Sequence, residues 1–286
     1  MKQFVSILLT FLLLLSIPTF VLAQETPDGF QYRVEKDENI TITGYVGKDT
    51  DFSIPGEIDG KSVTAIGNGA FMEKETIKYV VVSEGIRKIG NGAFSRSNNL
   101  VSIVLPSTVY MIGEGAFEYC QSLQKVNIPE GVVEIPARAF AGSRNIESID
   151  IPSTVEIIGD YAFGHTAFSS IDLPFGLKKI DHNAFGSCSL VNVIVPNTVK
   201  EIGPNAFWDS KQLVTVILPS GLKNIKFGTF SQDGALEKVA IPKSVTSITE
   251  SAISNCYKLN IWGFKGSTAE TFAKKNNIQA VTKPSI

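Results

Sequence analysis

Apolar residues recur in this chain with a long period laid over a short one. Phenylalanine stands at Phe71, Phe94, Phe117, Phe140, Phe163, Phe185, Phe207 and Phe230, at intervals of 23 or 22 residues, with Ile253 in the ninth place. Five residues before each comes an isoleucine, from Ile66 to Ile248, and the hexapeptide IGNGAF is written twice, at Ile66–Phe71 and Ile89–Phe94. A proline stands eleven or twelve residues after seven of the phenylalanines, Pro106 to Pro242, and Ser83 breaks that column after Phe71. Inside one period the pattern shortens. In LVSIVLP (100–106), Ile103 and Leu105 alternate with Ser102 and Val104, the two-residue period of a strand. Proline ends the pairing because it has no N–H to donate. A second short extended piece, VYMIG, returns Val109 and Ile112 to the interior, and AFEYC turns the chain inward again through Phe117.

A unit this short cannot bury its own apolar residues, so each must stack on its neighbours and share one core with them. The turn after the proline alternates between Gly131, Gly176 and Gly221 and the residues Thr108, Thr154, Thr198 and Ser244. Threonine fits poorly at positive φ, so this turn is expected not to need left-handed backbone. The alternation suggests that the array grew by duplicating pairs.

The columns IGxxAFxxC and LxxVxLP, kept together over residues 63–264, resemble the BspA-like leucine-rich repeats, a bacterial and protist cell-surface type with repeats of about 23 residues. The resemblance implies a β-rich solenoid: a leucine-rich-repeat right-handed superhelix with parallel strands, of about nine units over 63–264. An N-terminal β-rich cap would occupy 24–62 and a C-terminal helix–strand cap 265–286. It also implies binding of host or neighbouring-cell proteins, and adhesion, rather than catalysis, without identifying a ligand. The closing segment carries its own signal. In GSTAETFAKKNNIQAV, Ser267 suits an N-cap with Glu270 completing a capping box, Asn277 ends the helix, and Ile278–Val281 returns as a strand.

Composition narrows the partners. The 286 residues are 43% hydrophobic and 19% charged with a formal net charge of −2, too apolar for disorder and without a basic cluster to attract nucleic acid. The first 23 residues have a basic start at Lys2, an apolar run from Phe4 to Leu15, Pro18, and small residues before Gln24. That is the layout of a secretory signal cleaved after Ala23. The expectation is therefore a secreted or cell-surface protein with no stable membrane insertion after cleavage, and with an extracellular or surface protein as ligand.

Little points to catalysis, to a cofactor or to a metal. GEIDGKS (56–62) is one residue short of a phosphate-binding loop, and Asp59-Gly60 reads better as a tight hairpin turn. The two histidines, His165 and His182, fall in different columns. Cys120, Cys188 and Cys256 each lie three residues after the phenylalanine column, where Ser97, Ser143, Thr166 and Ser210 stand in other units. The column wants a small group that hydrogen-bonds the turning backbone, and cysteine serves as its compact substitute. Stacking puts neighbouring cysteines roughly 14 Å apart, beyond disulfide reach, so they are expected to be structural thiols.

Recognition is expected on the outward face of the parallel sheet. One outward column reads Val81, Val104, Asn127, Asp150, Asp172, Ile194, Ile217, Ala240; the other reads Tyr79, Ser102, Lys125, Ser148, Ser170, Asn192, Thr215, Lys238. Asp150 and Asp172 would stand about 5 Å apart on adjacent strands, a repulsive pair unless something offsets it. A solvated pair steadied by Lys125, a bound cation, a basic partner side chain, and the carboxylate pair of a retaining glycosidase are the alternatives. The apolar pairs Val81/Val104 and Ile194/Ile217 favour a protein surface over a sugar, and Tyr79 is the one aromatic in these columns. Protein binding or adhesion leads. A carbohydrate- or cell-wall-binding module, a glycan-active enzyme and a plain structural spacer are the other readings.

Overall fold

A computed structural model of the chain describes residues 24–283. The signal segment read at 1–23 lies outside the described residues. The described chain is a parallel-strand β-solenoid of about 11 turns with one C-terminal helix. Each turn has three sides. The LxxVxLP segments form a first parallel sheet and the xxIG segments a second, while the AFxxC segments form a stack of tight turns between them.

Register follows the repeat. Tyr79 pairs with Ser102, Val80 with Ile103 and Val81 with Val104 in the first sheet; Ala65 pairs with Lys88 and Met111 with Lys88 in the second. Parallel pairing starts upstream of the phenylalanine array, since Ile40–Tyr45 lies beside Lys61–Ile66 and Asp51–Ile54 beside Tyr79–Val82. Antiparallel strands Gln24–Glu25 and Phe30–Val34 cover the N-terminal edge. Glu57–Ile58 and Lys61–Ile66 make the hairpin expected from Asp59-Gly60, whose φ values of 50° and 75° suit a two-residue turn of the hairpin type.

The eight phenylalanines are fully buried and stack face to face, with successive ring centroids from 4.9 Å (Phe71–Phe94) to 5.7 Å (Phe207–Phe230). Their amides form a second continuous line: each Phe N–H donates to a carbonyl of the next unit, from Phe71 to Ala93 at 2.7 Å through Phe230 to Ala252 at 2.9 Å. Left-handed residues two positions before and after each phenylalanine, such as Arg138 and Gly142 around Phe140, fold the turn tightly enough for this. The turn after the proline behaves as expected. Gly131 and Gly176 have no positive φ, and glycine serves there because a Cβ would approach Val109 O to 3.1 Å and Ser153 O to 2.9 Å. In the alternate units Thr108 and Thr154 donate their hydroxyls to Ile86 O and Val132 O.

The small-residue column works through hydrogen bonds to the phenylalanine carbonyls. Ser97 and Ser143 donate to Phe71 O and Phe117 O at 2.6 and 2.7 Å. The cysteines do the same: Cys120 to Phe94 O at 3.0 Å, Cys188 to Phe163 O at 3.0 Å and Cys256 to Phe230 O at 2.7 Å. All three thiols are free, and burial pushes them up to about 12, 11 and 12 respectively. One member of the column breaks the rule of small neutral groups. Asp233 is fully buried, accepts from Ser210 N at 2.7 Å, and has no partner for Oδ2. Burial pushes its carboxyl up to about 8, and the charge of Asp209 adds to the effect.

The first sheet is not continuous, which the alternation in the sequence does not foretell. Strands run from Asp51–Ile54 to Lys125–Val126 and resume at Asn192–Ile194, continuing to Gln279–Lys283. The units of Asp150 and Asp172 lie in the break. Two causes are visible there. Phe168 fills a core position that Leu100, Leu123 and Leu190 hold elsewhere, edge-on to Phe163 at 5.6 Å. The inward side chains Ile151, Ile171 and Leu173 are accordingly only partly buried, whereas Val80, Val193 and Val216 are fully so. Like charges on adjacent strands then oppose pairing. The second sheet breaks elsewhere, after Met111–Ile112, where Pro136 replaces the glycine whose N–H donates in other units, and after Glu201–Ile202.

At the C-terminus, helix Thr268–Lys275 starts at Ser267, whose hydroxyl accepts from Glu270 N at 3.4 Å. The Glu270 carboxylate reaches Gly266 N at 2.6 Å, one residue short of a standard capping box. Asn276 caps the end, Asn277 turns left-handed at φ 54°, and Gln279–Lys283 pairs in parallel with Asn260–Phe264.

Candidate functional site

The strands of the first sheet turn one side chain in and the next out, so the outward columns are set by register. Tyr79, Val81 and Val104 are exposed on the N-terminal block, and Asn192, Ile194 and Ile217 on the C-terminal block; Thr215 is half-buried. Lys125, Asn127, Asp150 and Asp172 are exposed at and beside the break between the blocks. The outward residues therefore share one face, in two groups rather than one run.

Asn127 does structural work there. Its side chain accepts from Leu105 N and donates to Leu105 O, both at 2.8 Å, taking the place of a backbone neighbour where the sheet ends. Asp150 and Asp172 form no hydrogen bond or ion pair among the described residues, and Lys125 does not bridge them. They face solvent as two free acceptors. Among the described residues no three His, Cys, Asp or Glu side chains converge as a metal site.

The C-terminal block is more apolar than the two columns read from the sequence suggest. Asn192–Ile194, Thr215–Ile217, Lys238–Ala240 and Asn260–Phe264 pair in register, so Ile194, Ile217, Ala240 and Trp262 stand in one line. Trp262 extends the column by one more 22-residue step, and it makes a second aromatic beside Tyr79 on this face. The ammonium of Lys238 sits 4.2 Å from the Trp262 ring centroid. Ile217, Lys238, Ala240, Pro242, Trp262 and Phe264 line a hollow of about 320 Å³. At the other end of the line Ile194 is 68% exposed, and Phe175, in the proline turn beside Asp172, is 79% exposed. Phe175, Asp172, Asn192 and Ile194 share a second hollow of about 480 Å³. Sequence columns drawn from strand positions alone omit Phe175 because it belongs to the turn.

The histidines stand on the turn side, away from this face. His182 lies edge-on to Tyr161 at 5.3 Å, and Asn183 and Asn205 approach its Nε2 at 2.9 and 3.4 Å. No helix among the described residues is long and apolar enough to cross a membrane.

Comparison with known proteins agrees with this architecture. A family model described as a BspA type leucine rich repeat region, in 6 copies, matches residues 50–166 and 156–279. Similar solved structures include a leucine rich cell surface protein from Faecalibacterium prausnitzii, 23% identical, covering 92% of this chain and 98% of that one, with a TM-score of 0.45. A leucine rich repeat protein of T. pallidum is 27% identical over 92% of this chain and 100% of its own, with a TM-score of 0.42. The pneumococcal vaccine antigen PcpA is 15% identical over 92% and 98%, with a TM-score of 0.51, a likeness of fold. No curated protein matches the chain significantly.

Proposed function

Since the chain belongs to the BspA-type leucine-rich repeat family, we propose that it is an exported, non-catalytic binding protein that engages an extracellular or surface protein, as in adhesion, through the outward face of its first sheet. Residues 1–23 serve as the export signal in this reading. Residues 24–62 and 265–286 close the two ends of the repeat array.

The observation that carries the reading is the line Ile194, Ile217, Ala240 and Trp262, held in register on the outward face, exposed at the two isoleucines and half-buried at Ala240 and Trp262. Contiguous apolar surface rimmed by polar groups favours association with another protein, and tryptophan in a hollow is a frequent anchor of such contacts. Asp150 and Asp172, without internal partners, add two fixed negative charges at the edge of that line. They suit a partner with basic side chains beside an apolar ridge and steer its approach.

The test measures thermal stability and affinity on one variant, Asp150→Asn, Asp172→Asn, Ile194→Ser and Ile217→Ser together. A panel of extracellular-matrix proteins and polysaccharides supplies the partner. The variant is expected to melt within a few degrees of the parent and to bind a confirmed protein partner at least roughly tenfold more weakly. Unchanged affinity would move the site elsewhere, with the exposed turn-side aromatics Trp208 and Phe227 next to be tested. Binding to polysaccharides alone would replace the protein reading with a carbohydrate one.

A further inference from the structure

The turn side carries a second surface with a different chemistry. Two residues after each phenylalanine the backbone is left-handed, and this column reads Arg96, Tyr119, Gly142, His165, Ser187, Asp209 and Gln232 from the second unit onward. Gly142 is the one position in that run without a side chain. The Tyr119 ring leans across it, with Cδ1 2.4 Å from where a Cβ would stand. A hollow of about 470 Å³ opens over Gly142, walled by Arg96, Glu118, Tyr119, Arg138, Tyr161 and His165.

The walls are arranged unequally. Arg96 is held at the rim by Glu73 at 3.5 Å and by the Tyr119 ring at 6.0 Å. The Arg138 guanidinium makes no hydrogen bond or ion pair among the described residues, so its five donors face the hollow and solvent. The Glu118 carboxylate folds back over Gly115, with Oε2 3.4 Å from that glycine's missing Cβ. Tyr161 is braced edge-on by His182.

We propose that this hollow binds an acidic saccharide, a pyranose ring bearing a carboxylate or a sulfate. Arg138, the two tyrosines and Glu118 then each have a use. Arg138 offers a planar fork that matches a carboxylate or sulfate edge. The aromatic walls take the apolar C–H face of the ring, and Glu118 accepts from ring hydroxyls. A neutral sugar leaves Arg138 unmatched. A bare inorganic anion meets the Glu118 charge and leaves both tyrosines idle. The site is separate from the outward face of the first sheet and does not depend on that face having a protein partner.

The test titrates the protein with 3′-sialyllactose, lactose, a glucuronic-acid disaccharide and a sulfated disaccharide, read by calorimetry or ligand-observed NMR. The carboxylated and sulfated arms separate the two sources of negative charge. At least one acidic sugar is expected to bind, with lactose weaker by roughly tenfold or more, the worth of one charge-assisted contact. Arg138→Asn and Tyr119→Ser are the matched variants. Asn183 and Asn205 already occupy the position of Arg138 in later units, and Ser187 that of Tyr119, all left-handed, so neither change should disturb folding. Each is expected to weaken the acidic sugar roughly tenfold. Equal affinity for lactose, no binding of any acidic sugar at millimolar concentration, or unchanged affinity in folded Arg138→Asn would each overturn the proposal.

Discussion

Asp233 occupies a column whose serines and cysteines give a proton to a phenylalanine carbonyl of the preceding unit, and whose Thr166 gives one to Phe163 O of its own. Serine and cysteine can do this in their ordinary state; a carboxyl can do it only while it keeps its proton. Burial favours that neutral form and carries the group up to about 8, against an ordinary value near 4 in the unfolded chain. The charged group nearest it is Asp209, itself paired with Lys211 at 3.6 Å, and the Cys256 thiol packs from the following unit. The sign follows from linkage. Below about pH 4 both states hold the proton and the contribution is complete; between about pH 4 and 8 only the folded state holds it. Stability should therefore fall as pH rises through that window, by up to about 1.4 kcal/mol per pH unit, and level off above it. Asp233→Asn keeps an acceptor for Ser210 N and supplies a permanent donor, so its thermal midpoint should not share the decline. Parent and variant midpoints that run parallel from about pH 5 to about pH 8 would show the carboxyl to be ionised in the folded protein. The sequence shows the column and its serine–cysteine logic plainly. Asp233 is legible there only once one asks how a charge would fit among buried phenylalanine carbonyls.

At the scale of elements, the closing helix and strand hold down an otherwise open edge. Gln279–Lys283 satisfies the outer side of Asn260–Phe264, and the helix buries Ala269, Phe272 and Ala273 against the last units. Truncation after Phe264 should uncover that strand and the apolar surface beneath, giving a chain that aggregates during size-exclusion chromatography. A soluble, monomeric truncation would mean that the edge needs no cover. The helix and its start at Ser267 were readable from short-range chemistry, as were the hairpin at Asp59-Gly60 and the glycine–threonine alternation. The break in the first sheet was not. It depends on Phe168 standing where a leucine would and on two aspartates falling on successive units, which is a sum over neighbours that no single column displays. Trp262 escaped for the opposite reason: its unit lacks the proline and phenylalanine that mark the others, so the column seemed to end at Ala240.

Over the whole molecule, the two sheets are interrupted at different levels while the phenylalanine amides run unbroken from Phe71 to Phe230. Hydrogen exchange should reverse the usual order of a β protein, with these turn amides slowest and the amides of 148–151 and 170–173 fastest among interior positions. Strand amides slower than the phenylalanine amides would refute this. The repeat itself, its register and its stacked core follow from the 22- and 23-residue period; which side of the coil is continuous does not. Mechanically, the molecule is a beam with an unbroken line of hydrogen bonds along one side and with its first sheet notched near the middle. Such a beam flexes by opening or closing the notch. Bending would shift Val81 and Val104 relative to Ile194 and Ile217 while leaving the spacing within each pair untouched. A partner long enough to grip both blocks would meet two rigid patches at an adjustable distance, with Asp150 and Asp172 at the joint.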